Sequence, residues 1–256
     1  MEVLQPLRWS AVSFQPDPHP NPATVSARGL EKRFGAVAAL RGVDLDIPSR
    51  HLVAVLGPNG AGKSTLIKIL AGLTRPTAGT LSIADAVGKS RYHARLRIGF
   101  VGHATLLYPE LSARENLIFT GRLHGLADPR GRAEQLLEEE GLLAIGDRRA
   151  RSLSRGLAQR LSIARALVHD PSLLLLDEPF TGLDRPSADR LAARLASLRE
   201  KGRSLALVTH DLMQASELAD SVILLVDGRP LYRAEREQVR HDDLEQTYRS
   251  LTGGLP

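Results

Sequence analysis

Cysteine is absent from the 256 residues. That one absence excludes disulfides, thiolate catalysis and cysteine–zinc sites, and it fits a reducing compartment. Aromatic residues are scarce at 4%, and the Lys and Arg residues are spread along the chain instead of clustered. The excess charge of +5 raises two anionic partners, nucleic acid and an anionic membrane surface. Few aromatics and dispersed charge count against the first, so no nucleic acid is expected. No apolar run nears the ~20 residues needed to cross a bilayer. The opening MEVLQPLRWSAVSF lacks both a long apolar stretch and a small-residue cleavage site, which makes it a poor secretory signal.

What is present is an ordinary globular composition, 43% hydrophobic and 25% charged, in a chain long enough for one sizeable core. Proline alternates at Pro16, Pro18, Pro20 and Pro22, which favours an extended, solvated tail over residues 1–22. From Val25 come short β-type runs, VSARGLEKRF, GVDLDI and LVAVLG, followed by a helical pattern, KSTLIKILAGL. TLSI and RIGFV read as further strands. Ser112 opens SARENLIF, a capping box ahead of an apolar face, and RAEQLLEEEGLL continues a mainly helical part over about 90–165. Then strands and helices alternate: LLLLDE, SADRLAARLASLRE, LALVTH, MQASELA, VILLV. Alternation of this kind, with strands apolar on both faces, predicts a parallel sheet covered on both sides.

Three strand ends carry the candidate chemistry. GPNGAGKS follows the strand LVAVL and precedes a helix, which is the context a phosphate-binding loop requires. Its residues Gly57, Pro58, Asn59, Gly60, Ala61, Gly62, Lys63, Ser64 and the following Thr65 would curl backbone N–H groups around phosphate oxygens. Lys63 can reach β- and γ-phosphates, and the Ser64 hydroxyl can ligate Mg2+. SLLLLDEP delivers Asp177, suited to the outer shell of Mg2+, and Glu178, placed to polarise a water. LALVTH ends in Thr209 and His210, whose imidazole can bond a phosphate oxygen or orient that water. Separately, SLSRGLAQRLSIARAL opens a helix at Ser154. Unpaired N–H groups and the helix dipole at such an opening favour an anion.

Taken in order, GPNGAGKST, SLSRGLAQR, LLLLDEP, TGLD and the histidine of VTH resemble the motif set of ABC-type ATPases, over about residues 24–235. The resemblance implies a P-loop α/β fold: a mainly parallel sheet flanked by helices, an N-terminal antiparallel β part and an inserted helical subdomain. The ATPase domain would span 23–240, with the subdomain at about 90–165 and a C-terminal helix or tail at 241–256. It implies ATP and Mg2+ as ligands. It also implies two cassettes facing each other, so that Ser154 and Gly156 of one contact the γ-phosphate held by the other. Phe34 in KRFG matches the adenine-stacking aromatic. Asp184 in TGLD matches the loop bridging the two cassettes, a simple cap on the next helix being the alternative.

Two departures matter. The family's glutamine after RIGFV is here His103, an imidazole that titrates near neutral pH, so a role at the subunit boundary is expected ahead of direct Mg2+ contact. In the signature, Arg155 and Leu157 replace a glycine and an amide. Arg155 either adds attraction for the γ-phosphate or points to solvent. With VGHATLLYPELSARENL and FTGRLHGL, these features resemble the ATP-binding subunit of the haem-exporting cytochrome c maturation transporter. The expectation is a peripheral ATPase on the cytoplasmic face of the membrane, working as a pair with separate transmembrane subunits that contact it around 103–125. Other exporters (drug, lipid or ion), a nucleic-acid- or ribosome-acting ABC protein, and a non-hydrolysing cassette are the rivals. Glu178 counts against the last.

Overall fold

Apolar residues alternate between two separate cores along each central strand, and that arrangement sets the layers. The computed structural model describes residues 23–84, 95–236 and 241–253; the tail expected over 1–22 lies outside them. A six-stranded sheet runs in the order β5 (Ile98–Val101), β6 (Leu173–Asp177), β7 (Ser204–Val208), β3 (Leu52–Leu56), β8 (Ser221–Val226), β9 (Arg229–Glu235). All neighbours are parallel except the β8–β9 hairpin. Every residue of β3, β6 and β7 is buried, as strands covered on both faces require.

Val53 and Val55 of β3, with Leu173, Leu175, Ala206 and Val208, face α1 (Lys63–Leu70). The same core includes Val25, Leu30, Leu45 and Ile47 from a three-stranded antiparallel sheet. That sheet is ordered β2 (Val37–Pro48), β1 (Ala23–Phe34), β4 (Ala78–Ile83). Leu52, Ala54, Leu56, Leu174, Leu176, Leu205 and Leu207 point the other way. They meet α4 (Arg155–Leu167), α5 (Arg185–Glu200), α6 (Leu212–Leu218) and α7 (His241–Thr252). Each fully buried leucine is worth about 1.5–3 kcal/mol, so a one-residue slip of a central strand, which exchanges its two faces, is strongly disfavoured.

Between β5 and α4 lie α2 (Ala113–Leu123), α3 (Pro129–Glu139) and two short 3-10 turns. Ser112 caps α2 in the box its sequence announces: its side chain accepts from Glu115 N at 3.1 Å, and Glu115 accepts from Ser112 N at 2.8 Å. Arg194 of α5 ties the end of α3 to the sheet-side helices, donating to Glu140 at 2.7 Å and Glu139 at 2.9 Å.

Candidate active site

β3 is sandwiched between β7 and β8, so the loop that follows it opens at the centre of the sheet's C-terminal edge, where parallel α/β sheets bind ligands. Gly62 takes φ 101° as the N-cap of α1, a conformation that strains any residue with a Cβ. Lys63, 7% exposed, begins that helix and turns its ammonium back onto the loop, donating to Gly57 O at 2.5 Å and Pro58 O at 3.0 Å. Burial pushes the Lys63 pKa down, while the Glu178 and Asp177 carboxylates pull it up. The loop therefore closes on its own cation.

The neighbouring strand ends supply the anions. Asp177 closes β6 and is 3% exposed; its Oδ1 accepts from Ser64 Oγ at 3.2 Å. Burial raises its pKa, the Ser64 bond opposes that shift, and the adjacent Glu178 adds to it. Glu178 adopts φ 52°, and its N–H donates to Val208 O at 2.9 Å. The bend leaves its Oε2 2.8 Å from His210 Nδ1. A carboxylate can only accept, so Nδ1 donates. Thr209 is anchored through its N–H to Val55 O at 3.2 Å, fixing β7 against β3 where His210 emerges.

Lys63, Ser64, Glu178 and His210 line one open cavity of about 400 Å3, whereas Gly57, Pro58 and Asp177, the last bonded to Ser64, are not among its lining residues. Asn59, Gly60, Ala61, Gly62, Lys63, Ser64 and Thr65 form one side, and His103, Glu178, Thr181 and His210 face them. Ala39 of β2 completes the wall. Five strands, β2, β3, β5, β6 and β7, or the loops after them, thus converge on one place. A larger cavity of about 560 Å3 lies between α3, α4 and α5. Its Arg132, Arg194 and Arg203 are already bonded to carbonyls and carboxylates, which makes it the poorer candidate.

The remaining sequence-predicted residues stand apart from the phosphate cavity. Phe34 ends β1, is 54% exposed, and carries Lys32 Nζ 4.9 Å from its ring centre; it is not among the cavity-lining residues. Ser154 is the N-cap of α4, its side chain accepting from Leu157 N at 3.4 Å. Asp184 is the N-cap of α5, accepting from Ser187 N at 3.0 Å, and those bonds hold its pKa below the usual carboxylate range. The two helix openings are neighbours: a Cβ on Gly156 would lie 2.6 Å from Ser187 Oγ. Arg155 is exposed, yet its guanidinium folds over Gly182, where a Cβ would lie 2.5 Å from Cζ. Ser154, Arg155, Gly156 and Asp184 form a second cluster on the same chain, none of them lining the cavity.

Sequence reasoning missed Thr181 and Ala39 in the cavity wall. Thr181 Oγ1 reaches Glu178 Oε2 at 3.5 Å; a hydroxyl three residues after the strand-end glutamate was the available signal. Ala39 gave none, because its position follows from how the antiparallel sheet leans on the loop.

A parallel sheet whose central strand runs through a glycine-rich loop into a helix, with Lys, Ser, Asp and Glu converging there, defines a P-loop nucleoside triphosphatase. The comparisons make this specific. The family model described as ABC transporter matches residues 40–181. The Nod factor export ATP-binding protein I of Burkholderia lata is 39% identical over 82% of this chain and 70% of its own length. The daunorubicin resistance ATP-binding protein DrrA3 of Streptomyces coeruleorubidus is 38% identical over 84% and 69%. A dimeric post-hydrolysis state of an ATP-binding cassette bound to ADP and Pi superposes with TM-score 0.75 at 29% identity, over 83% of this chain and 98% of that one. The chain belongs to the ABC transporter family as an ATP-binding subunit, and it is an ATPase.

Proposed function

We propose that two copies of this chain enclose two ATP molecules, and that hydrolysis separates them to drive transmembrane subunits carried on other polypeptides. One observation carries this reading. The phosphate cavity and the helix opening at Ser154 both favour anions, yet Ser154 lies outside the cavity lining of its own chain. A second copy, turned head to tail, brings the cluster of one to the cavity of the other.

Within the cavity, Lys63 exchanges its two neutral carbonyl acceptors for anionic phosphate oxygens, so that donor and acceptor are both charged. Ser64 and Asp177 fit Mg2+: both offer hard oxygens, and the other positions are left to phosphate and water, as that ion prefers. Mg2+ held there would neutralise charge on the β- and γ-phosphates. Glu178 takes a proton from the water whose oxygen bonds to the γ-phosphorus, as the bond to the ADP oxygen breaks and inorganic phosphate leaves. His210, bonded to Glu178 through Nδ1, orients that carboxylate at the cavity wall. Phe34, open to solvent at the end of β1, offers a face for adenine. Ser154, Arg155, Gly156 and Asp184 meet the ATP held by the second copy, and His103 stands where the loop after β5 reaches the boundary with the membrane partner.

Among the described residues no helix is long and apolar enough to cross a membrane, which supports a peripheral subunit, placed on the cytoplasmic face because ATP is there. Export is the direction supported by relatives named for Nod factor export and daunorubicin resistance. Haem export for cytochrome c maturation is a narrower reading that rests on segments such as VGHATLLYPELSARENL and FTGRLHGL, with His103 and the SRG signature as its discriminating features; the relatives' names lend it no support.

The test is Glu178→Gln. It keeps shape and phosphate contacts while removing the proton acceptor, so ATP binding persists and a dimer accumulates, read as mass by light scattering. A variant that binds ATP and stays monomeric refutes the paired arrangement. The membrane proteins that co-purify with the chain decide between haem and other cargoes.

A further inference from the structure

Helix α4 is fastened to the strand and loop that carry His103. Two side chains on one of its faces, three residues apart, and a third just beyond its C-terminal end reach main-chain carbonyls of that segment. Ser162 Oγ donates to Thr105 O at 2.9 Å, Arg165 Nη2 to Phe100 O at 2.7 Å, and His169 Nε2 to Ile98 O at 2.9 Å. His103 sits inside the stretch these bonds span and lines the phosphate cavity. Ser154 stands at the far end of the same helix. The stretch closes at Leu106, a non-glycine residue held at φ 55°, a conformation that persists only when surroundings impose it.

Arg165 is the unusual member. Its guanidinium is largely buried and its pKa is lowered by that burial, and among the described residues no carboxylate pairs with it. A buried cation without a counter-charge is costly, and for simple packing an apolar side chain of the same length would serve better. What the arginine supplies is a long, rigid, charged donor to Phe100 O, three residues before His103.

We propose that Ser162 and Arg165 are positioning residues that fix the direction of α4, and so of Ser154, to the state of the His103 loop. The inference rests on the paired-cassette reading. Nucleotide in a chain's own cavity meets His103; the carbonyl bonds pass that placement to α4; Ser154 is then offered to the nucleotide of the other copy. Neither residue touches ATP. Their loss therefore weakens pairing while leaving each chain's own hold on nucleotide intact.

The experiment uses the full chain in the Glu178→Gln background, adding Arg165→Met, Arg165→Lys or Ser162→Ala. Binding of a fluorescent ATP analogue is measured where only monomer is present, and dimer mass is followed against ATP concentration. Arg165→Met is expected to keep the monomer's affinity while raising the ATP needed for half-dimerisation by about tenfold, the size of one lost charged hydrogen bond. Arg165→Lys restores a donor and recovers most of the shift; Ser162→Ala gives a smaller rise and guards against a misfolded methionine variant. In the Glu178-intact chain, the same substitutions raise KM for ATP and leave kcat at saturation. Dimerisation at the parent's ATP concentration in both Arg165→Met and Ser162→Ala overturns the proposal. So does a parallel fall in monomer affinity, which marks a merely structural role. A parent that stays monomeric overturns the paired reading, and this inference with it.

Discussion

Replacing Gly62 with alanine separates two costs that the phosphate loop carries, because Gly60 provides a matched control. Both glycines have positive φ, 82° at Gly60 and 101° at Gly62, so a methyl group at either costs about 1–2 kcal/mol in backbone strain. At Gly60 an added Cβ meets nothing within 4 Å, and strain is the whole effect. At Gly62 it would collide with the carbonyl oxygen of Ala39 and lie 3.0 Å from Leu40 Cδ2. The carbonyl belongs to the backbone of β2, so it cannot swing aside, and overpacking of this kind adds about 1–3 kcal/mol. Gly62→Ala should therefore lose about 2–5 kcal/mol in total, against about 1–2 for Gly60→Ala. For a chain of this size that is a fall in Tm of roughly 4–20 °C against 2–8 °C. Urea unfolding followed by circular dichroism, without nucleotide, reads the difference directly. Equal destabilisation of the two variants would refute the claim that close contact with β2 shapes the loop.

Three further outcomes follow from the same geometry. Lys63→Ala removes the charged phosphate donor and should abolish ATP binding at millimolar nucleotide, read by equilibrium dialysis; unchanged affinity contradicts the site. Asp177 has a raised pKa in the folded chain, so its ionised form opposes folding above that pKa, and the penalty is relieved as pH falls through it. Asp177→Asn should accordingly be more stable than the parent at neutral pH, equal to it in acid, and unable to bind Mg2+–ATP; a variant that loses stability at neutral pH refutes that sign. Ser112→Ala removes the hydroxyl half of the α2 cap and should cost about 1 kcal/mol with kcat unchanged, measured by thermal unfolding alongside ATPase assays.

The central sheet and its loop were legible because their signals are local. LVAVL is apolar throughout, LLLLD and SLALV are apolar but for one end residue each, GPNGAGKS follows the first of them directly, and SARE names its own cap. β9 was missed although Asp227 and Gly228, at φ 48° and 76°, are the turn pair that joins it to β8; its residues RPLYRAE look polar because it forms the sheet's antiparallel edge. The capping role of Asp184 was readable, whereas its nearness to Ser154 was not, since α4 and α5 meet only through tertiary packing around Gly156. The bonds from α4 to the His103 loop left no sequence trace either, because their acceptors are carbonyls that every residue possesses.

The strand order also sets a timetable for biosynthesis. β1, β2 and β4 pair among themselves and can zip as soon as they leave the ribosome, but β3 bonds only to β7 and β8, made after residue 204. At ~5–20 residues per second, that wholly apolar ribbon waits about ten to thirty seconds for its neighbours. The nascent chain must be shielded for that interval, and slow codons or a bound chaperone between β4 and β7 would govern how much of it reaches the assembled cassette.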